Sequence, residues 1–294
     1  MVKLAVTLML LAGSASAQLL PNGQDRRDIA IEVIDGRALV AVTVDGQNGL
    51  MMLDNGTPET VMLNRDAVDL PVGQEVGRGN AASGQPVMVM LHNAPAVMVG
   101  GLPFAVPDHV TSGNFAFVEE GFSAEFMGFI GSPALAEASF LLDFPRNRLI
   151  LLRAGPQDLA PADVRGRIVF SIWEESLPTS VVEVGQTAML SDFDTGDDGT
   201  IYLQDETRAT LIADGSLTGG PETMVLSGLR LGGMDFEPTP VRVVEAGGPE
   251  DFRTSGASDS LRLGAAFLAQ NPVLWDFAST ELVFLTSTAL VLAP

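Results

Sequence analysis

Two short segments carry residue types whose spacing could do chemistry. The apolar run Leu50-Met51-Met52-Leu53 ends in Asp54-Asn55-Gly56, and Ala188-Met189-Leu190 is followed shortly by Phe193-Asp194-Thr195-Gly196. In each, a strand-forming stretch delivers one carboxylate to the end of a buried element. The glycine lets the chain turn sharply and lets a second backbone come close. A single Asp-x-Gly turn is a common surface feature. Two of them on related halves can bring their carboxylates face to face. Like charges a few Å apart cannot both ionise easily, so the pair shares a proton. The ionised member can then take a proton from water while its partner gives one to a substrate carbonyl. That chemistry hydrolyses an amide with no nucleophilic side chain, no metal and no cofactor.

The remaining inventory narrows the alternatives. The 294 residues include no cysteine and two histidines, His92 and His109. Thiol catalysis, disulfides and thiolate zinc sites are excluded, and a Ser-His-Asp triad has few ways to be built. Both histidines read as loop or surface residues. Asp and Glu number 37 against 16 Lys and Arg, a formal net charge of -21. Such a surface repels nucleic acid and anionic lipid. Asp192, Asp194, Asp197 and Asp198 cluster in sequence, but the EF-hand pattern fails, with Asp197 where its glycine belongs and Leu203 where its Glu belongs. The Gly-rich stretches Gly77–Gly84 and Gly215–Gly220 carry no Lys-Ser/Thr ending and read as hairpin tips rather than phosphate cradles.

The elements that must position the two carboxylates are short strands. Thirty-one glycines and 18 prolines punctuate runs such as Ala38–Val44, Val87–Leu91 and Val241–Val244, the pattern of an all-β chain. Helical periodicity is confined to Gln204–Ala213 and Pro133–Ala138. The halves repeat. Six, seven and nine residues after Asp54 stand Thr60, Val61 and Leu63; the same steps after Asp194 reach Thr200, Ile201 and Leu203. Gly79 and Gly219 match in the same register. Later, Phe129-Ile130-Gly131 leads to Leu135 and Asp143, as Leu263-Gly264 leads to Leu268 and Asp276. The Gly- and Pro-bearing stretch 154–166 is the expected linker between an N-terminal lobe, 18–153, and a C-terminal lobe, 167–294. Asp143 and Asp276 read as anchors of strand ends.

These residues resemble the aspartic peptidases, of the pepsin-like and bacterial retropepsin-like kind. Leu53-Asp54-Asn55-Gly56 and Phe193-Asp194-Thr195-Gly196 look like the active-site loops of that family. Phe129-Ile130-Gly131 and Leu261-Arg262-Leu263-Gly264 look like its hydrophobic-hydrophobic-Gly segment. Leu142-Asp143-Phe144-Pro145-Arg146 and Trp275-Asp276-Phe277 resemble its closing strands. The resemblance implies two pseudo-symmetric β-barrel lobes with few short helices, one site at their interface, and Asp54 and Asp194 as the catalytic pair. It further implies loop support from Asn55, Gly56, Thr195 and Gly196, and substrate contacts from Asp198, Gly79 and Gly219. Two departures stand out. The family usually has Thr or Ser where Asn55 stands, and its flap Tyr has no counterpart, since the sole tyrosine, Tyr202, lies eight residues past Asp194.

Residues 1–17 read as a cleavable export signal. Lys3 precedes an apolar stretch too short to span a bilayer, and Ala15-Ser16-Ala17 supplies a small-residue cleavage site. The expectation is a periplasmic or secreted monomeric endopeptidase that acts on peptides and has no nucleic-acid or membrane partner after cleavage. Two rivals stand beside it: a catalytically silent peptide-binding protein of the same fold, motivated by Asn55, and a structural β protein whose paired Asp-Gly turns are incidental.

Overall fold

A computed structural model describes residues 18–81, 85–118, 122, 125–173, 177–197, 199–220, 223–245, 260–289 and 291. The expected export signal, 1–17, and Asp198 lie outside them. Among the described residues no helix is long and apolar enough to cross a membrane.

The architecture is all-β and bilobal. A central sheet is shared by the halves, with strands in the order Val164–Val169, Glu281–Leu285, Val273–Asp276, Ser139–Asp143, Arg148–Leu152 and Arg26–Ile34. The first three come from the second half of the chain and the last three from the first. They meet where Phe140, Leu141 and Leu142 pair antiparallel with Trp275, Leu274 and Val273. Alternation explains how one sheet serves two layers. Leu141, Ile150, Leu274 and Val283 point to one face and pack with Leu152 and Leu285. Phe140, Leu142, Leu149 and Trp275 point to the other and join the main core. Phe140 stacks on Trp275 with ring centroids 5.7 Å apart, and Trp275 meets Phe193 edge-on at 6.4 Å. This aromatic column therefore runs from the shared sheet to the residue before Asp194.

Each lobe then builds the same crossing. In the first, the strand Gln47–Asp54 runs parallel to Phe126–Gly131, which is antiparallel to Val61–Asn64. In the second, Thr187–Phe193 runs parallel to Ser260–Leu263, which is antiparallel to Ile201–Gln204. The hydrophobic-hydrophobic-Gly segment thus threads between the strand entering each Asp turn and the strand leaving it. Glycine is required at its end because the loop carbonyls press against it. A Cβ on Gly131 would overlap the Glu59 and Thr57 oxygens, and one on Gly264 would overlap the Gly199 oxygen. The same bonds lock both crossings: Gly131 N–H donates to the Thr60 carbonyl and Gly264 N–H to the Thr200 carbonyl, each at 3.1 Å. Both segments end in a single helical turn, Ser132–Leu135 and Ala265–Leu268.

The helical expectation at Gln204–Ala213 corresponds to a 3-10 turn, Asp205–Thr207, running into the helix Arg208–Ala213. The expected linker 154–166 holds two 3-10 turns, Pro156–Asp158 and Pro161–Asp163. Its last three residues are already strand, because Val164–Val169 pairs with Glu281–Leu285. Asp143 is fully buried and pairs with Arg146 and Arg148. Asp276 accepts from the Ala278 N–H and the Ser279 hydroxyl in the next turn. Reading His92 as a loop or surface residue is incorrect. It is buried in the strand Pro86–Asn93, where its ring bonds the Pro71 carbonyl at 2.9 Å and the Ser112 hydroxyl at 2.8 Å. Those two partners make burial of a polar ring tolerable; the sequence alone gives no sign of them. His109 is exposed at the start of the strand His109–Gly113.

Because Trp275 links the shared sheet to the second lobe, Trp275→Ala should cost about 3–5 kcal/mol of unfolding free energy. Urea titration followed by far-UV circular dichroism measures it.

Candidate active site

The two Asp turns face each other at the interface of the lobes. Asp54 is the last residue of its strand and Asp194 directly follows its own. Each carboxylate is held by its own turn: Gly56 N–H donates to Asp54 Oδ1 at 2.8 Å, and Gly196 N–H to Asp194 Oδ1 at 2.9 Å. Each also lies against the other lobe's glycine. A Cβ on Gly196 would overlap the Asp54 carboxylate, and one on Gly56 would sit 3.4 Å from Asp194 Oδ1 and from Leu177 Cδ2. Glycine at 196 is therefore what allows its loop to approach Asp54, while Gly56 makes only ordinary contact with the other lobe.

Between the loops lies a reciprocal set of hydrogen bonds. Thr195 Oγ1 accepts from the Asn55 backbone N–H at 3.0 Å and donates to the Leu53 carbonyl at 2.9 Å. In return, Asn55 Oδ1 accepts from the Thr195 backbone N–H at 2.8 Å, and its Nδ2 donates to the Phe193 carbonyl at 2.9 Å. Asn55 has no exposed surface and Thr195 almost none. A carboxamide has an acceptor and donors on separate atoms, so Asn55 accepts and donates across the interface as the Thr195 hydroxyl does from its side. The Ser132 hydroxyl, from the helical turn below, donates to the Asn55 carbonyl.

Beyond this symmetry the lobes diverge. The Thr57 hydroxyl donates to Asp54 Oδ2 at 2.6 Å. The matching residue in the second lobe is Asp197, and Asp194 Oδ2 instead faces the Arg262 guanidinium, with Nη1 at 3.5 Å. Arg262 is bidentate to Asp192 at 3.0 and 3.1 Å and reaches Asp197 Oδ2 at 3.7 Å. Asp192 and Arg262 are register partners between parallel strands, and both are buried. The same register site in the first lobe holds Met52 and Phe129. A buried ion pair thus occupies a position that its duplicate fills with apolar side chains. The sequence signal was an arginine inside an otherwise apolar Leu-x-Leu-Gly segment, opposite an Asp two residues before Asp194.

Burial raises both carboxyls of the pair. For Asp54 it outweighs the bonds from Thr57 and Gly56 and the Arg262 charge. For Asp194 it outweighs Arg262, and the Asp54, Asp197 and Asp192 charges push further, up to about 8. Burial alone would lower Arg262; Asp192, Asp194 and Asp197 reverse this and hold it fully charged. The geometry sets two carboxyls, both raised by burial, on facing loops, each with its Oδ1 fixed by a backbone amide.

Of the expected substrate contacts, Gly79 lies on the strand Gln74–Asn80, which forms a hairpin with Pro86–Asn93. A side chain there would meet open space. Gly219 lies on Leu217–Gly220 with φ of +101°, and a Cβ would strike the Thr223 carbonyl, so its glycine is a backbone requirement.

No protein-family model matches the chain, and no curated protein matches it by sequence. Solved structures do. An aspartic proteinase from Irpex lacteus superposes with a TM-score of 0.58 at 10% identity, covering 90% of this chain and 98% of that one. Basic 7S globulin from soybean superposes with a TM-score of 0.57 at 11% identity, covering 88% and 96%. The chain has the bilobal fold of pepsin-like aspartic proteinases. That fold is common to one neighbour named as a proteinase and one named as a globulin.

Two outcomes follow from this geometry. Asn55→Ala leaves the Thr195 N–H and the Phe193 carbonyl buried without partners and should cost about 2–4 kcal/mol, read by chemical denaturation; Asn55→Thr, which restores a donor and an acceptor, should cost less. Folding raises the pair's pKa, so the native state binds more protons than the unfolded chain. The pair's contribution to stability is therefore full below the ordinary carboxylate range and falls as pH rises from about 4 toward about 8, with a slope of up to about 1.4 kcal/mol per pH unit for one proton. Asp194→Asn should flatten that slope in urea titrations across the same range.

Proposed function

We propose that the chain is an exported aspartic endopeptidase that hydrolyses peptide bonds in the cleft between its lobes. The observation that carries this reading is the pair of carboxylates, Asp194 buried and Asp54 half-buried, each lying against the opposite lobe's glycine and braced by the Asn55–Thr195 bond set. A proton-sharing pair with raised pKa has the two states the reaction needs. The ionised carboxylate takes a proton from water as the water oxygen adds to the scissile carbonyl carbon, and the protonated one gives its proton to the carbonyl oxygen. Collapse of the tetrahedral adduct passes a proton to the leaving nitrogen, breaks the C–N bond and restores the shared proton. In this reading the Gly77–Gly84 hairpin, with Gly79 on its first arm, covers the bound peptide, and Gly219 serves the second lobe's side; Asp198, the other expected contact, lies outside the described residues. The duplicated short-loop motif and closing strands favour a bacterial retropepsin-like origin for each lobe. A single chain supplies both aspartates, so a monomer suffices.

The rival, a silent peptide-binding protein, rested on Asn55 weakening the brace between lobes. Asn55 makes its bonds in both directions, which favours the peptidase, while the fold, shared with a neighbour named as a proteinase and one named as a globulin, is compatible with either reading.

Cleavage of a fluorogenic peptide library should be inhibited by pepstatin. It should fall by about 10²–10⁴-fold in Asp54→Asn and in Asp194→Asn. With the upper pKa raised, cleavage should persist toward neutral pH and disappear as the shared proton is lost. Peptide binding without turnover at any pH from about 3 to 8 would instead establish the silent protein. Export predicts a mature chain beginning at Gln18, which N-terminal sequencing of the secreted or periplasmic fraction reads directly; a chain still starting at Met1 would exclude it.

A further inference from the structure

The pair is symmetric in backbone and asymmetric in charge. Asp54 Oδ2 receives a neutral hydroxyl from Thr57 at 2.6 Å. In the loop of Asp194, Asp197 takes the place of Thr57, and Asp194 Oδ2 faces the cationic Arg262 at 3.5 Å. Arg262 cannot swing away, because both arms of its guanidinium fork are held by Asp192 and its side chain is largely buried. A buried ion pair costs desolvation that apolar residues would avoid, and Met52 and Phe129 show that this crossing forms without one. A charge retained there, within reach of one carboxylate of the pair, points to a task at that carboxylate.

We propose that Arg262 is a positioning residue that breaks the symmetry of the pair, keeping Asp194 as the ionised, water-activating carboxylate and leaving the shared proton on Asp54. This rests on the peptidase reading for its catalytic meaning, although the charge assignment stands without it. The groups that act on Asp194 are few. Asp192 lies on its own strand and neutralises much of Arg262. Asp197 sits in its loop, 3.7 Å from Arg262. Asp54 faces it from the other lobe. On the neighbouring strand Tyr202 is the register partner of Arg262, with Arg242 over its ring at 5.9 Å. Among these, Arg262 is the cation closest in charge and distance to favour the Asp194 carboxylate; Asp54, Asp192 and Asp197 all oppose it.

The first lobe supplies the test. Asp192→Met/Arg262→Phe transplants the apolar pair of the duplicate crossing. In an Asp54→Asn background Asp194 titrates without its partner, and its carboxyl carbon can be followed by ¹³C NMR. The double replacement should raise the Asp194 pKa by about one unit or more, whereas Arg262→Lys, which keeps the charge, should move it less. With Asp54 intact, the acid limb of the kcat/KM profile for peptide cleavage should shift upward by a similar interval, which loss of packing alone would not produce. Should the apolar pair not fold, Asp192→Asn/Arg262→Gln asks the same question with a neutral hydrogen-bonding pair. An unmoved Asp194 titration in a folded neutral-pair variant overturns the proposal. The NMR titration reads out whether or not the protein cleaves peptides, so absence of cleavage would sink the peptidase reading while leaving the charge assignment to its own result.

Discussion

The structure depends on one exchange of hydrogen bonds. Two loops from halves of the chain 140 residues apart meet where Asn55 and Thr195 each give to and take from the other's backbone. These bonds lie out of water, where an unmet donor or acceptor is costly. Sliding one loop past the other would break several of them together. The carboxylates sit one residue before each brace, so their separation is inherited from it. Glycine at 196 serves the same end, since a side chain there would strike the Asp54 carboxylate, and Gly131 and Gly264 keep each loop seated on its own crossing.

Within that shared frame the halves have diverged in charge. The first lobe keeps Met52 against Phe129, and the second buries Asp192 against Arg262 in the same register. The exchange preserves the crossing because both pairs are bulky and mutually satisfied. It changes what the neighbouring Asp feels. Asp54 feels chiefly the neutral donors of its own loop and Arg262 less strongly, whereas Asp194 feels Arg262 first and then several anions. Duplication thus supplied two equivalent positions, and substitution beneath them made the equivalence unequal.

Much of this was legible in the residues. The repeat of Asp, Thr, Val/Ile and Leu at fixed steps marked the two halves, and short apolar runs punctuated by Gly and Pro marked the strands. What the sequence hid depends on long-range partners. Asn55 departs from the Thr or Ser expected between Asp and Gly, yet its amide meets the Thr195 loop from both sides, which only the facing backbone reveals. Asp192 looked like one more acid in an acidic run until its register partner proved to be Arg262. His92 looked like a surface residue because Pro71 and Ser112, which satisfy its ring, lie 21 and 20 residues away. The end of the linker was hidden for the same reason: Val164 becomes strand only because Leu285 is there to pair with it.

The central sheet has a consequence for how the molecule comes into being. Its seam joins Phe140 to Trp275, residues far apart along the chain, and closing so large a loop is slow relative to forming local hairpins. Asp54 and Asp194 lie on opposite sides of that long-range closure, one in each half of the chain. The facing of the two acids is therefore a property of long-range closure and not of either half's local hairpins.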